Sequence, residues 1–170
     1  MDLALLLVRL IGLGFAAHGA QKLFGWFGGY GLAGTAGFFE SLGFKPGTLF
    51  AATAGVSELV GGLLLALGLF GPVGPMLMVS VMLVAILTVH APKGFFVTNG
   101  GMELNLAYIA IAVAVALVGP GAYSLDALLG IATFWTPAVS WVVLGIGVLG
   151  ALGNLALRRR PNVIEEPSSN

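Results

Sequence analysis

Long apolar runs separated by short polar breaks dominate the chain, and five of them approach the length a bilayer requires. They cover about residues 3–21, 48–70, 73–91, 102–118 and 138–157. A hydrocarbon core of about 30 Å takes about 20 apolar residues at helical rise. The runs are continuous rather than alternating, so the pattern predicts helices, which satisfy their own backbone in lipid, and not the strands of a barrel. The expected fold is all-α: a multi-pass transmembrane helical bundle. The second and third runs are divided only by Gly71-Pro72, and the fourth is the shortest.

Composition agrees with this picture. The 170 residues are 58% hydrophobic and 8% charged, whereas a soluble domain carries about 25% charged residues to keep its surface in water. The surface is therefore expected to meet the lipid bilayer. Five charged residues fall after Leu157 (Arg158, Arg159, Arg160, Glu165 and Glu166), so each of the few within the apolar part asks for a reason. Zero formal net charge provides no basic field for nucleic acid. The absence of cysteine excludes disulfides and thiolate metal sites, and no metal motif is visible. Residues 1–21 begin without a positive charge, so they read as a retained helix rather than a signal peptide.

Basic residues in the short flanks orient a membrane protein. Lys22, Lys45, Lys93 and Arg158 to Arg160 fall on one side of a five-span arrangement, while Asp2 and Asp126 fall on the other. The predicted topology is N-terminus out and C-terminus in. The run 138–157 has no ionisable residue, and Gly145, Gly147, Gly150 and Gly153 offer small-residue packing, so a packing helix or a homo-oligomer contact is expected there. The chain is accordingly divided into a four-helix unit over 1–134, an additional transmembrane helix over 135–157, and a basic, then polar, disordered tail over 158–170.

Two charges fall well inside apolar runs, Arg9 and Glu58. Charges near the bilayer centre cost about 2.5 to 3.5 kcal/mol each or more, so they face the bundle interior and usually pair. Arg9, Gly12, Ala16 and Ala20 share a helical face, as do Ala51, Ala54, Glu58, Gly62 and Ala66. Similar depth and opposite charge predict an ion pair between Arg9 and Glu58, either a registry device or part of a functional site.

Alternation of helix direction brings His18, Gln21 and Lys22 to the same membrane interface as His90, Lys93 and Glu103. The segments HGAQKLFGWFGG and HAPKGFFVTNGG echo each other, with a lysine soon after the histidine, phenylalanine six later, and a glycine pair ten and eleven later. Such an echo fits two parallel helix pairs. Histidine relays protons near neutral pH, and Glu103 stands where it would set the His90 tautomer or exchange a proton. Taken singly, these residues suit lysine snorkelling and an aromatic belt of Phe24, Trp26 and Phe27; taken together they suit a ligand site. Nothing in the histidine spacing calls for haem. GWFGGYG follows no predicted strand, so a nucleotide-binding reading fails.

HGAQKLFGWFGG, GVSELVGGLLLALGL (Gly55 to Leu69), HAPKGFFVTNGGMELNL (His90 to Leu106) and GPGAYSLDALL (Gly119 to Leu129) resemble, in that order, the DoxX family of small bacterial membrane proteins. The resemblance covers roughly residues 5–130. It implies a four-helix transmembrane unit in the bacterial inner membrane, from which the fifth helix departs. It also implies association with quinone-linked oxidation and an oxidoreductase partner protein, since these residues hold no independent catalytic centre. The family-like polar positions are His18, Gln21, Lys22, Glu58, His90, Glu103 and Asp126. Two functions are expected from this reading: a redox-linked subunit binding a quinone, or a carrier, binding protein or scaffold for a small amphipathic molecule or for membrane complexes.

Overall fold

The computed structural model describes residues 2–159. Its elements are α1 (Asp2–Arg9), α2 (Ile11–Phe24), α3 (Gly31–Ser41), α4 (Gly47–Leu67), α5 (Val73–Ala85), α6 (Glu103–Val118), α7 (Leu125–Leu128) and α8 (Pro137–Ala156). No strand occurs among the described residues. Four helices are long and apolar enough to cross a membrane: Asp2–Phe24, in which α1 and α2 join at Leu10, then Gly47–Leu67, Val73–Lys93 and Pro137–Ala156. The fourth expected span is the 16-residue α6, which at 1.5 Å per residue extends only about 24 Å.

Helix α2 lies antiparallel against α4 with backbones nearly touching. A Cβ on Gly12 would strike the Gly62 carbonyl, and one on Gly19 would stand 2.6 Å from the Gly55 carbonyl oxygen. Small residues permit this approach, and it supplies the dispersion contacts that hold helices together where lipid removes the hydrophobic drive. These contacts also set the register. Gly12 lies beside Gly62 and Ala66, and Gly19 beside Gly55 and Leu59. Around this pair the core gathers Phe15, Leu65, Met78, Val79, Ala112, Val115 and Leu144.

The register corrects the expected ion pair. Arg9 stands opposite Gly68, where a Cβ would overlap its guanidinium, and roughly 15 Å of helix separates that level from Glu58. Arg9 and Glu58 do not pair. The sequence reading takes depth from His18, whereas α2 continues six residues further to Phe24, and the glycine contacts slide the two helices past the predicted alignment. The faces were as expected; the depths were not.

The segment 22–47, read as a loop, contains helix α3, packed against both α2 and α4. Thr35 Oγ1 donates to the Lys22 carbonyl at 3.3 Å, and Glu40 accepts from the Gly47 amide at 3.1 Å, so α3 is held at both ends. Helix α8 uses the face Ser140, Leu144, Gly147 and Ala151 against α5 and α6. Ser140 Oγ donates to the Ala116 carbonyl at 2.6 Å. Of its glycines, Gly147 meets Met76, whereas a Cβ on Gly145 or Gly153 would meet nothing. At its end, Arg158 Nε donates to the Leu42 carbonyl at 2.6 Å and the Arg159 amide to the Gly43 carbonyl at 2.8 Å. The tail expected to be disordered over 158–170 begins with these two bonded arginines, and from residue 160 onward it lies outside the described residues.

Candidate functional site

At one end of the bundle a cavity of about 250 Å³ lies between α2, α4, α5 and α6. His18, Lys22, Glu58, His90, Asn105 and Tyr108 contribute to its wall. Two distant sequence segments thus converge there, each histidine near the last turns of its helix.

The buried acid is Glu58, 2% exposed. Lys22 Nζ forms a salt bridge with its Oε1, and Oε2 has no hydrogen-bond partner among the described residues. A buried oxygen without a partner costs about 1–3 kcal/mol. Lys22 is 32% exposed and lines the cavity beside its partner.

His18 is held from its own helix. Gln21 Nε2 donates to the Phe27 carbonyl at 3.2 Å, which turns Gln21 Oε1 toward His18 Nδ1 at 2.9 Å. That oxygen only accepts, so Nδ1 carries the proton and neutral His18 keeps Nε2 as its free acceptor. His90 arrives at the same tautomer by another route. Pro92 has no N–H, and in a regular helix its ring would press on the Thr88 carbonyl. Helix α5 instead widens into a π turn over Ile86–His90 and then tightens over Ala91–Lys93, the kind of local widening that recurs at functional sites. His90 Nδ1 donates to the Gly100 carbonyl at 2.7 Å, and neutral His90 likewise keeps Nε2 free.

Not every predicted residue reaches the cavity. Gln21 is absent from its wall and positions His18. Glu103 does not touch His90 as expected; its Oε2 accepts from the Val97 amide at 2.9 Å, because the loop over residues 94–102 folds back and inserts Gly100 between them. Lys93 is exposed while its counterpart Lys22 pairs with Glu58, so the echoed segments diverge in use. Asn105 and Tyr108, which sequence reasoning passed over, line the wall; Asn105 is buried and its Nδ2 meets Met82 Sδ at 3.3 Å. An asparagine two residues past Glu103 in an apolar run was a readable signal.

Arg9 and Asp126 occupy the other end. Arg9, 1% exposed, donates through Nη2 to the Tyr123 carbonyl and lies in the field of Asp126. Asp126 was placed by sequence in an opposite-face loop. It is fully buried in α7, where its two oxygens accept from the Phe70 amide at 2.8 Å and the Gly71 amide at 2.6 Å. No group of three or more histidine, cysteine or acidic side chains suited to a metal ion occurs among the described residues.

Fold and cavity together define a multi-pass α-helical membrane protein with a chamber at one end of its bundle, where His18, Lys22, Glu58 and His90 meet. The sequence model of the DoxX family matches residues 4–91, a span that includes His18, Gln21, Lys22, Glu58 and His90. The chain belongs to the DoxX family. The two later motifs beyond residue 91 and helix α8 fall outside the matched span. No curated protein and no solved structure shows significant similarity to the chain.

Proposed function

We propose that this protein binds the head of a lipid-soluble quinone in the chamber between His18, Lys22, Glu58 and His90, as the membrane subunit of a redox system. The observation that carries the reading is the convergence of Glu58, paired with Lys22, and of both histidines on one chamber wall. Glu58 and the two histidine Nε2 atoms form an acceptor set suited to the hydroxyls of a quinol. The Lys22 ammonium adds a donor suited to a quinone carbonyl. Converting one form to the other moves two electrons and two protons. The protons exchange through Glu58 and the free imidazole nitrogens, and the electrons come from a partner oxidoreductase, since these residues hold none. Buried Phe15 and the core behind it floor the chamber, which favours a binding site entered from one end over a carrier's passage.

The purified full-length chain in nanodiscs tests this. Quinol is expected to raise the thermal midpoint in wild type and to lose at least ten-fold in affinity in Glu58→Gln. A protein that co-purifies with no extractable quinone and shows no quinone- or quinol-dependent thermal shift would sink the reading.

A further inference from the structure

A second cavity, of about 270 Å³, lies beneath α3 and shares Lys22, Ala85 and His90 with the first. Part of its wall is a continuous row of rings. Phe39 and Phe44 lie 5.7 Å apart between centroids and Phe44 and Phe50 5.1 Å, with Phe38 set edge-on beside Phe39. Arg158 steadies the row: its Nε donates to the Leu42 carbonyl at 2.6 Å and its guanidinium carbon lies 6.0 Å from the Phe44 centroid. The rest of the wall carries hydroxyls and an amide, from Thr53 and Ser57 of α4, Ser80 and Thr88 of the α5 span, and Asn154 of α8. Polar side chains are costly in a membrane helix and usually have a task there. In α8, Ser140 is occupied in bonding the Ala116 carbonyl, whereas Asn154 stands in this cavity wall.

Bonds within the helices decide what these groups offer. Thr53 Oγ1 donates to the Leu49 carbonyl at 2.8 Å and Thr88 Oγ1 to the Val84 carbonyl at 2.7 Å. Each hydroxyl has committed its proton to its own helix, and its oxygen remains an acceptor. Asn154 Nδ2 donates to the Gly150 carbonyl at 2.9 Å. A carbonyl only accepts, so this bond fixes which way the amide is turned and leaves Oδ1 as an acceptor. Gly150 also makes room for α5, because a Cβ there would stand 3.8 Å from Ser80 Oγ; the Ser80 hydroxyl thus lies against α8 one turn from Asn154. The lysine in the wall is already paired with Glu58, and among the described residues no acidic side chain lines the cavity. A wall of rings, acceptor oxygens and no free counter-charge suits a neutral aromatic molecule that donates a hydrogen bond. We infer that this cavity is a separate binding site for a single-ring phenol, its ring against Phe39, Phe44 and Phe50 and its hydroxyl donating to the oxygens of Asn154 and Thr88. A volume below the 300 Å³ or so at which pockets for larger ligands begin limits the occupant to one ring. Helix α8, outside the matched family span, supplies the asparagine, so the added helix completes the site. The inference stands apart from the quinone reading.

The test compares 4-propylphenol with its methyl ether, 4-propylanisole, which keeps the ring and has no proton to donate. Binding is measured by calorimetry on the full-length protein in nanodiscs, with empty nanodiscs of the same lipid subtracted. In wild type the phenol is expected to bind at least five-fold more tightly than the ether. Ala54→Leu, which fills the cavity from α4, should weaken the phenol ten-fold or more. Asn154→Leu should narrow the phenol's advantage to less than two-fold, and Thr88→Val carries the same test if that variant does not fold. Asn105→Leu, in the wall of the first cavity only, should leave the advantage in place. Equal binding of the two compounds to wild type would mean a space that any apolar molecule or lipid chain fills, and overturns the assignment. So does an advantage that survives both Asn154→Leu and Thr88→Val, or one that Asn105→Leu abolishes. A chain that passes these tests and binds no quinone would sink the quinone reading and leave this one standing.

Discussion

Two buried carboxylates lie near opposite ends of the bundle and are treated in opposite ways. Asp126 has both oxygens engaged, each on a backbone amide of the turn between α4 and α5. Glu58 has one oxygen on Lys22 and the other unpartnered in a cavity wall. Their neighbouring cations differ as well: Arg9 is 1% exposed and Lys22 is 32% exposed. An acid with a backbone amide on each oxygen is held by the fold itself. An acid in a cavity wall, paired with a partly exposed cation, is the one placed to meet a ligand.

The sharpest way to break this comparison is Asp126→Ala. It leaves the Phe70 and Gly71 amides without their acceptors and the buried Arg9 charge uncompensated, an expected loss of about 3–5 kcal/mol. Detergent-titrated unfolding would register it, and Arg9→Met added to the same chain should restore part of the loss because the stranded charge is gone. A loss no greater than that of Glu58→Gln would erase the distinction between the two ends.

Glu58→Gln is the complementary change. Lys22 can turn to water when its partner is neutral, so the expected stability change stays within about 1 kcal/mol, while quinol binding falls. Severe unfolding would make Glu58 a structural acid like Asp126. A smaller effect belongs to Ser140→Ala, which removes the bond from α8 to the Ala116 carbonyl and should cost about 0.6 kcal/mol, the typical value for an interhelical bond in lipid; thermal melting of paired samples would resolve it. Smallest in energy is Gln21→Leu. It should leave the fold intact yet release the His18 ring, seen in nitrogen NMR as mixing of a tautomer that is purely Nδ1–H in the parent protein. An unchanged spectrum would mean that something other than Gln21 orients the ring.

Much of this arrangement was readable from residue pattern. Continuous apolar runs located the spans, because lipid leaves the backbone no partner but itself. Direction reversal alone brings His18 and His90 to one end, where both line the cavity. What failed was fine alignment. The pairing of Arg9 with Glu58 rests on depth counted from His18; α2 runs on to Phe24, about 9 Å further, and the contacts of Gly12 with Gly62 and of Gly19 with Gly55 set the rest of the offset. Glu103 was assigned to His90 because helix direction brings both to one interface, but the 94–102 loop gives His90 the Gly100 carbonyl and Glu103 the Val97 amide. Helix α3 went unrecognised because an 11-residue element rich in glycine and phenylalanine has neither the length of a span nor a strong polar face.

Sequence alone therefore determined the class of protein, the number of apolar runs, which helix faces are small enough to approach closely, and the end of the bundle at which the histidines meet. These follow from the rules of burial in lipid and from the alternation of helix direction, and both are properties of the chain read in order. The tertiary structure decided which acid meets which base, which carboxylate has an oxygen without a partner, and that a second chamber shares Lys22, Ala85 and His90 with the first. Those outcomes depend on register set to within one residue by the contact of Gly12 with Gly62 and of Gly19 with Gly55, and on a loop and a π turn whose shape arises only when the helices are packed.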